Sequence, residues 1–246
     1  MPVSWESLAV AAAIVACGYF VFGLSGFGAA LVTVPVVSHL WPVQFVLPVL
    51  ALLDFTASTF LGVRHHREAE RGELTRMIPM AILGAALGAT LLVSIPRGAG
   101  LAGIGAFTVL YGAYALVERG TSGKIGRGWA YVAGIVGGTS GALFGIGGPP
   151  YAIYLSRRIE DKDTLRATVA TMVIFSVGSR LVMFAIAGLV GWNELKTALV
   201  LLPFVFAGLW AGGRAHLRIS RRALGRFIAA LLIATGASLL VRAATG

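Results

Sequence analysis

The sequence predicts an all-α polytopic membrane protein made of two inverted-topology repeats, each a broken or re-entrant helical hairpin followed by three transmembrane helices. Three observations predict it. Of 246 residues, 57% are hydrophobic and 12% charged, against about 25% charged in a soluble domain. The apolar residues fall in blocks close to the ~20 residues that cross a bilayer. Glycines and prolines recur between the two halves of the chain on a fixed spacing.

The apolar blocks run over 7–24, 26–40, 43–63, 77–95, 99–117, 129–143, 147–156, 164–190, 197–213 and 223–241. Basic residues cluster between them, in 64–76, 118–128, 157–166 and 214–226. These loops test the topology, because cytoplasmic loops carry the excess of Lys and Arg. If 129–156 crosses once, the two sides hold nine and ten basic residues, which is no bias. If it enters and returns on one side, the split becomes sixteen against three, Arg97, Lys196 and Arg242. The second arrangement is the expected one. It makes 129–156 a hairpin with its tip near Gly145-Ile146-Gly147-Gly148.

The repeat has a register. Pro79, Gly84, Gly88 and Gly112 recur as Pro203, Gly208, Gly212 and Gly236, all at a spacing of 124. Gly26-Phe27-Gly28 recurs as Gly145-Ile146-Gly147 at a spacing of 119. Each half then holds a hairpin and three crossings, and an odd number of crossings turns the second half upside down, as in many secondary transporters. The whole chain, 1–246, is one membrane domain. Repeat one covers about 7–117, a cytoplasmic linker about 118–128, and repeat two about 129–243.

The net charge of +10 would suggest nucleic acid in a soluble protein. Here the basic residues flank membrane blocks, so the lipid bilayer is the expected partner and nucleic acid is not. Cys17 is the one cysteine, which excludes an intrachain disulfide; it reads as a small core residue. The first seven residues carry no Lys or Arg, so no secretory n-region is expected.

Two constellations could carry chemistry. The first is the pair of glycine turns, Ser25, Gly26, Phe27 and Gly28 in one half and Ser140, Gly145, Ile146, Gly147, Gly148 and Pro149 in the other. Glycine permits a sharp turn and a close backbone approach, and proline suits the first turn of a helix. A helix that starts inside the membrane offers free N–H groups and a positive dipole end, a site for an anion. The alternative is that these glycines serve close helix packing, which is the reading for Gly84-xxx-Gly88 and Gly208-xxx-Gly212. The second constellation is charge within the bilayer, Asp54 and Arg180. Each costs roughly 2.5–3.5 kcal/mol there on insertion scales. They either pair with each other, or Arg180 binds the substrate anion while Asp54 carries a coupling proton. Ser176 and Ser179 could add hydroxyl donors.

His65 and His66 lie in a charged loop and read as solvated; no ligand spacing for a metal and no cofactor motif is evident. His39, Trp41, Trp5 and Trp192 read as interfacial. No catalytic set of His, Cys or carboxylates gathers within the bilayer, so no enzyme is expected.

The motif Gly23-Leu24-Ser25-Gly26-Phe27-Gly28 followed by Pro35, repeated as Gly145-Ile146-Gly147-Gly148-Pro149, resembles the signature of the sulfite exporter TauE/SafE family, also named for 4-toluene sulfonate uptake permeases. Gly84, Gly88, Pro203, Gly208, Gly212 and Arg214 fit the same pattern, and the resemblance covers about 10–240. Ala29 and Ala30 stand where the family pattern often continues with glycine. The resemblance implies a bacterial inner-membrane carrier for a small sulfur-containing oxyanion such as sulfite or an organosulfonate, with export as the family-based direction. A sulfonate uptake permease, an anion channel and a membrane partner protein without transport stay open, as does homo-oligomerisation.

Overall fold

The computed structural model describes residues 4–25, 28–62, 69–117, 125–215 and 221–245. These residues form ten α-helices: α1 Trp5–Ser25, α2 Ala29–Val37, α3 Val43–Gly62, α4 Arg71–Ser94, α5 Arg97–Val117, α6 Trp129–Phe144, α7 Gly148–Ser156, α8 Lys162–Ile186, α9 Trp192–Ala215 and α10 Arg221–Thr245. Each sits on one of the expected apolar blocks. Five of them (α1, α3, α4, α8 and α9) are long and apolar enough to cross a membrane. The block 164–190 ends earlier than expected, because the chain turns at Gly188, whose φ is 70°. Asp161 starts α8 by accepting a hydrogen bond from the Thr164 N–H at 2.7 Å, the usual role of an N-cap carboxylate.

Both hairpins form. α2 and α7 have nine residues each, about 13 Å of helix, well short of a ~30 Å hydrocarbon core. The chain reverses before α2 at Gly28, with φ 97°, and after α6 at Gly145, with φ 74°. A side chain there would clash with its own backbone, so glycine fits both turns. α2 then folds back on α1, where a Cβ at Gly18 would stand 3.2 Å from the Ala29 carbonyl. α7 folds back on α6, where a Cβ at Gly147 would stand 2.7 Å from the Gly137 carbonyl.

The helices pair across the halves. α6 packs chiefly on α4, α1 on α9, α5 on α10, and α3 meets α8. The recurrent glycines lie in these seams. Gly84 and Gly88 let α4 approach Ile135, Thr139 and Ala142 of α6; Gly208 and Gly212 let α9 approach Ala16, Phe20 and Gly23 of α1. Gly112 and Gly236 lie in the α5–α10 seam. The packing reading of Gly84, Gly88, Gly208 and Gly212 is therefore what the structure shows. Two sets of four can be traced, α1-α2-α3-α9 and α4-α6-α7-α8, each with one helix from the other half of the chain, and α3 joins them by packing on both α8 and α9. One apolar core, with Tyr19, Leu47, Leu50 and Leu201, extends from the first set to Leu92 of α4 and Phe184 of α8; a second, with Met77, Tyr151, Leu155 and Met172, lies within the second set.

Two expectations change, for Cys17 and Glu73, and the tryptophans take distinct surroundings. Cys17 is exposed on α1, not in the core. Trp41 is only 8% exposed, because its indole N–H turns inward to Ser7 Oγ at 3.3 Å; Trp5 and Trp192 do sit on the surface, 84% and 66% exposed. Glu73, expected in the loop before α4, is buried. α4 starts at Arg71, which brings Glu73 against the end of α7. There Tyr154 Oη donates to Glu73 Oε2 at 2.6 Å, and Arg158 donates to Oε1 from both Nε and Nη2 at 3.2 Å. Arg158 also reaches the Ile125 carbonyl at 3.3 Å. This brace lies wholly within the second group of helices. Glu73→Ala is expected to lower stability by about 2 kcal/mol, since it strands a partly buried Arg, as read by denaturant melts in detergent. His65 and His66 lie outside the described residues.

Candidate functional site

The site begins with an ion pair that no single helix could hold. Asp54 stands on α3 and Arg180 on α8, 6% and 4% exposed. Arg180 Nη2 donates to Asp54 Oδ2 at 3.0 Å, while Tyr19 on α1 donates its phenol to Asp54 Oδ1 at 2.7 Å. Arg180 Nη1 donates to the Gly141 carbonyl on α6 at 2.8 Å. Four helices thus converge on two charges. Buried charges persist only when paired and hydrogen-bonded, and here every carboxylate oxygen has a donor. One Arg180 group is different: its Nε–H is buried without a partner among the described residues.

The two hairpin tips meet beside this pair. A Cβ at Gly145 would stand 2.6 Å from Val34 and 3.7 Å from Ala30, both on α2. Ile146 packs with Leu31 and Leu232, and Phe144 stacks on Phe107 of α5 at 5.1 Å. Between the tips and the ion pair lies a cavity of about 50 Å³. Its wall takes Gly28 to Leu31 from the first hairpin, Gly145 to Pro149 from the second, Asp54 and Ser58 from α3, and Ser176 and Arg180 from α8. Tyr151 Oη and Ser176 Oγ share a hydrogen bond of 2.9 Å on this wall. At about 10–15 Å³ per water, the space suits three to five waters or one small oxyanion.

The helix starts at the tips are unequal. α7 begins at Gly148 and carries Pro149 and Pro150 in its first turn, which removes two of the N–H groups a helix start normally presents. α2 begins at Ala29 behind Gly28 and keeps its N–H groups. The alanines at 29 and 30 line the cavity with methyl groups.

Of the residues expected at the site, the structure gathers Gly28, Gly145, Ile146, Gly147, Gly148, Pro149, Asp54 and Arg180 on one cavity wall. Asp54 and Arg180 do pair. Gly26 and Phe27 lie outside the described residues, and of Ser25 only the backbone, at the end of α1, is described. Ser140 does not line the cavity; its hydroxyl donates to the Ile146 carbonyl at 2.9 Å and holds the tip in shape. Of the two hydroxyls considered on α8, Ser176 lines the cavity, whereas Ser179 bonds back to the Ser176 carbonyl at 2.9 Å. Tyr19, Ser58 and Tyr151 were not anticipated. A tyrosine deep in an otherwise apolar block was the available signal for Tyr19, and the i, i+4 spacing from Asp54 was the signal for Ser58.

A multi-pass helical chain with two half-length helices, tip to tip beside a buried ion pair, belongs to the class of membrane transporters. The chain is a member of the family described as Sulfite exporter TauE/SafE, whose family model matches residues 10–239. A relative from Comamonas testosteroni, described as "Probable inner membrane transporter protein TsaS", is 29% identical over 195 residues, covering 76% of this chain and 80% of that protein. No solved structure matches. The chain is accordingly a multi-pass protein of the inner membrane.

Proposed function

We propose that the protein is a secondary carrier, and by family an exporter, of a small sulfur-containing oxyanion such as sulfite, bound near the midplane between the hairpin tips. The observation that carries this reading is a cavity bounded by Gly28 of the first tip, by Gly145 to Pro149 of the second and by Arg180. A volume of about 50 Å³ has room for a small oxyanion. The pseudo-symmetric pairing of α1 with α9 and α6 with α4, together with the charge split between loops, supports an inverted repeat. On this reading the set α1-α2-α3-α9 moves against α4-α6-α7-α8, rather than one half of the chain against the other. The Asp54–Arg180 pair bridges these groups across the α3–α8 seam, where alternating access would rock them.

Asp54 is the proposed coupling residue. With Arg180 it forms a neutral pair faced by Tyr19 from α1. An anion that takes over Arg180 adds negative charge to a low-dielectric site, and a proton on Asp54 restores neutrality. Sulfite flux in proteoliposomes containing the full chain is expected to saturate and to accelerate when a pH gradient is imposed. Asp54→Asn should retain binding and lose the response to the gradient. Flux of sulfite that never saturates would point to a channel, and no signal for any sulfur oxyanion would sink the carrier reading.

A further inference from the structure

We infer that Ser58 is a specificity-determining ligand of the transported anion, donating a hydrogen bond to one oxygen while Arg180 Nε–H serves another. The inference rests on the carrier reading above and names residues of that same site.

Ser58 departs from the habit of hydroxyl side chains in this protein. Within a helix, Ser and Thr normally bond back to a carbonyl three or four residues earlier. Thr33, Thr56, Thr168, Thr171 and Thr197 all do so, at 2.6–3.0 Å. Ser58 is 4% exposed, and its Oγ has no hydrogen-bond partner among the described residues. It sits one turn beyond Asp54 on the same face of α3 and lines the cavity. Ser38, Thr59 and Thr108 also carry buried hydroxyls without partners among the described residues, but none of them lines the cavity.

A buried polar group without a partner costs stability, so an unpartnered hydroxyl on a residue that lines a ligand space is best explained by the ligand. The character of that ligand follows from what the wall offers. Both oxygens of Asp54 are already engaged, by Tyr19 and Arg180. Tyr151 and Ser176 have two hydroxyl hydrogens and share one mutual bond, so the pair retains a hydrogen to donate. Ser58 and Arg180 Nε add two more donors. The wall therefore offers several hydrogen-bond donors beside the Arg180 charge and matches a ligand that accepts on several sides, an oxyanion with at least two oxygens. A hydrogen bond to such a charged group accounts for roughly ten- to a hundredfold in affinity.

The test is equilibrium binding of radiolabelled sulfite to the purified full chain in detergent, with melting temperatures taken alongside. Ser58→Ala is expected to raise the Kd at least tenfold, and Ser38→Ala to leave it unchanged. Ser58→Thr and Ser58→Val differ only in a hydroxyl for a methyl, so they compare fairly even if both lose some stability; Thr should bind at least tenfold more tightly. Equal affinity of the Thr and Val variants overturns the role of Ser58 and leaves the carrier reading intact. Wild-type protein that binds no sulfur oxyanion overturns both.

Discussion

Arg180→Gln is expected to abolish saturable sulfite binding and to lower stability by about 3–5 kcal/mol, the range for removing one partner of a buried pair. The stability loss follows from what is left behind. Asp54 would keep Tyr19 as its donor but lose its counter-charge, and the Gly141 carbonyl would lose the donor it now has at 2.8 Å. Adding Asp54→Asn removes the stranded carboxylate, so the double variant should regain most of the lost stability. It should not regain binding, because the positive charge at the cavity is still missing. Denaturant melts and a binding isotherm on the same preparations separate the two effects.

Gly212→Val is expected to be nearly as damaging, with no part of it touching the cavity. A Cβ at 212 overlaps the Phe20 carbonyl oxygen of α1 and stands 3.1 Å from the Gly23 Cα. Both obstacles are backbone, so no rotamer change relieves them, and α1 must lift off α9. The cost belongs at or above the upper end for overpacking, about 3 kcal/mol. Gly88→Val should behave alike, since its Cβ would stand 2.7 Å from the Thr139 carbonyl and from Ala142. Gly213 has open space around it, so Gly213→Val is the matched control, expected within about 0.5 kcal/mol of wild type. Melting temperature and the yield of monodisperse protein would report all three.

Helix positions were legible because hydropathy and charged loops punctuate the chain, and the tips were legible because only glycine serves turns at φ 97° and 74°. The faces of the helices were not. Lipid is as apolar as a protein core, so hydropathy does not mark Cys17 as facing outward, and the tyrosine within α1 does not by itself name Asp54 as its partner. Nor could spacing alone reveal that α1 rests on α9; Gly208 and Gly212 showed a packing surface without naming its occupant. Glu73 was missed for a different reason. A carboxylate at the edge of an apolar block reads as solvated until Tyr154 and Arg158, more than eighty positions away, are seen to close over it. Ser140 was chosen for standing beside a tip, yet its hydroxyl bonds to the tip's own backbone.

The most direct measurement of the midplane site is a sulfite binding isotherm on two purified proteins, wild type and the Asp54→Asn/Arg180→Gln double variant, after melts have shown that the double variant is folded. Saturable binding by the wild type and none by the folded double variant is the predicted result. Binding by the double variant with wild-type affinity would contradict it, and would reduce the Asp54–Arg180 pair to a structural brace.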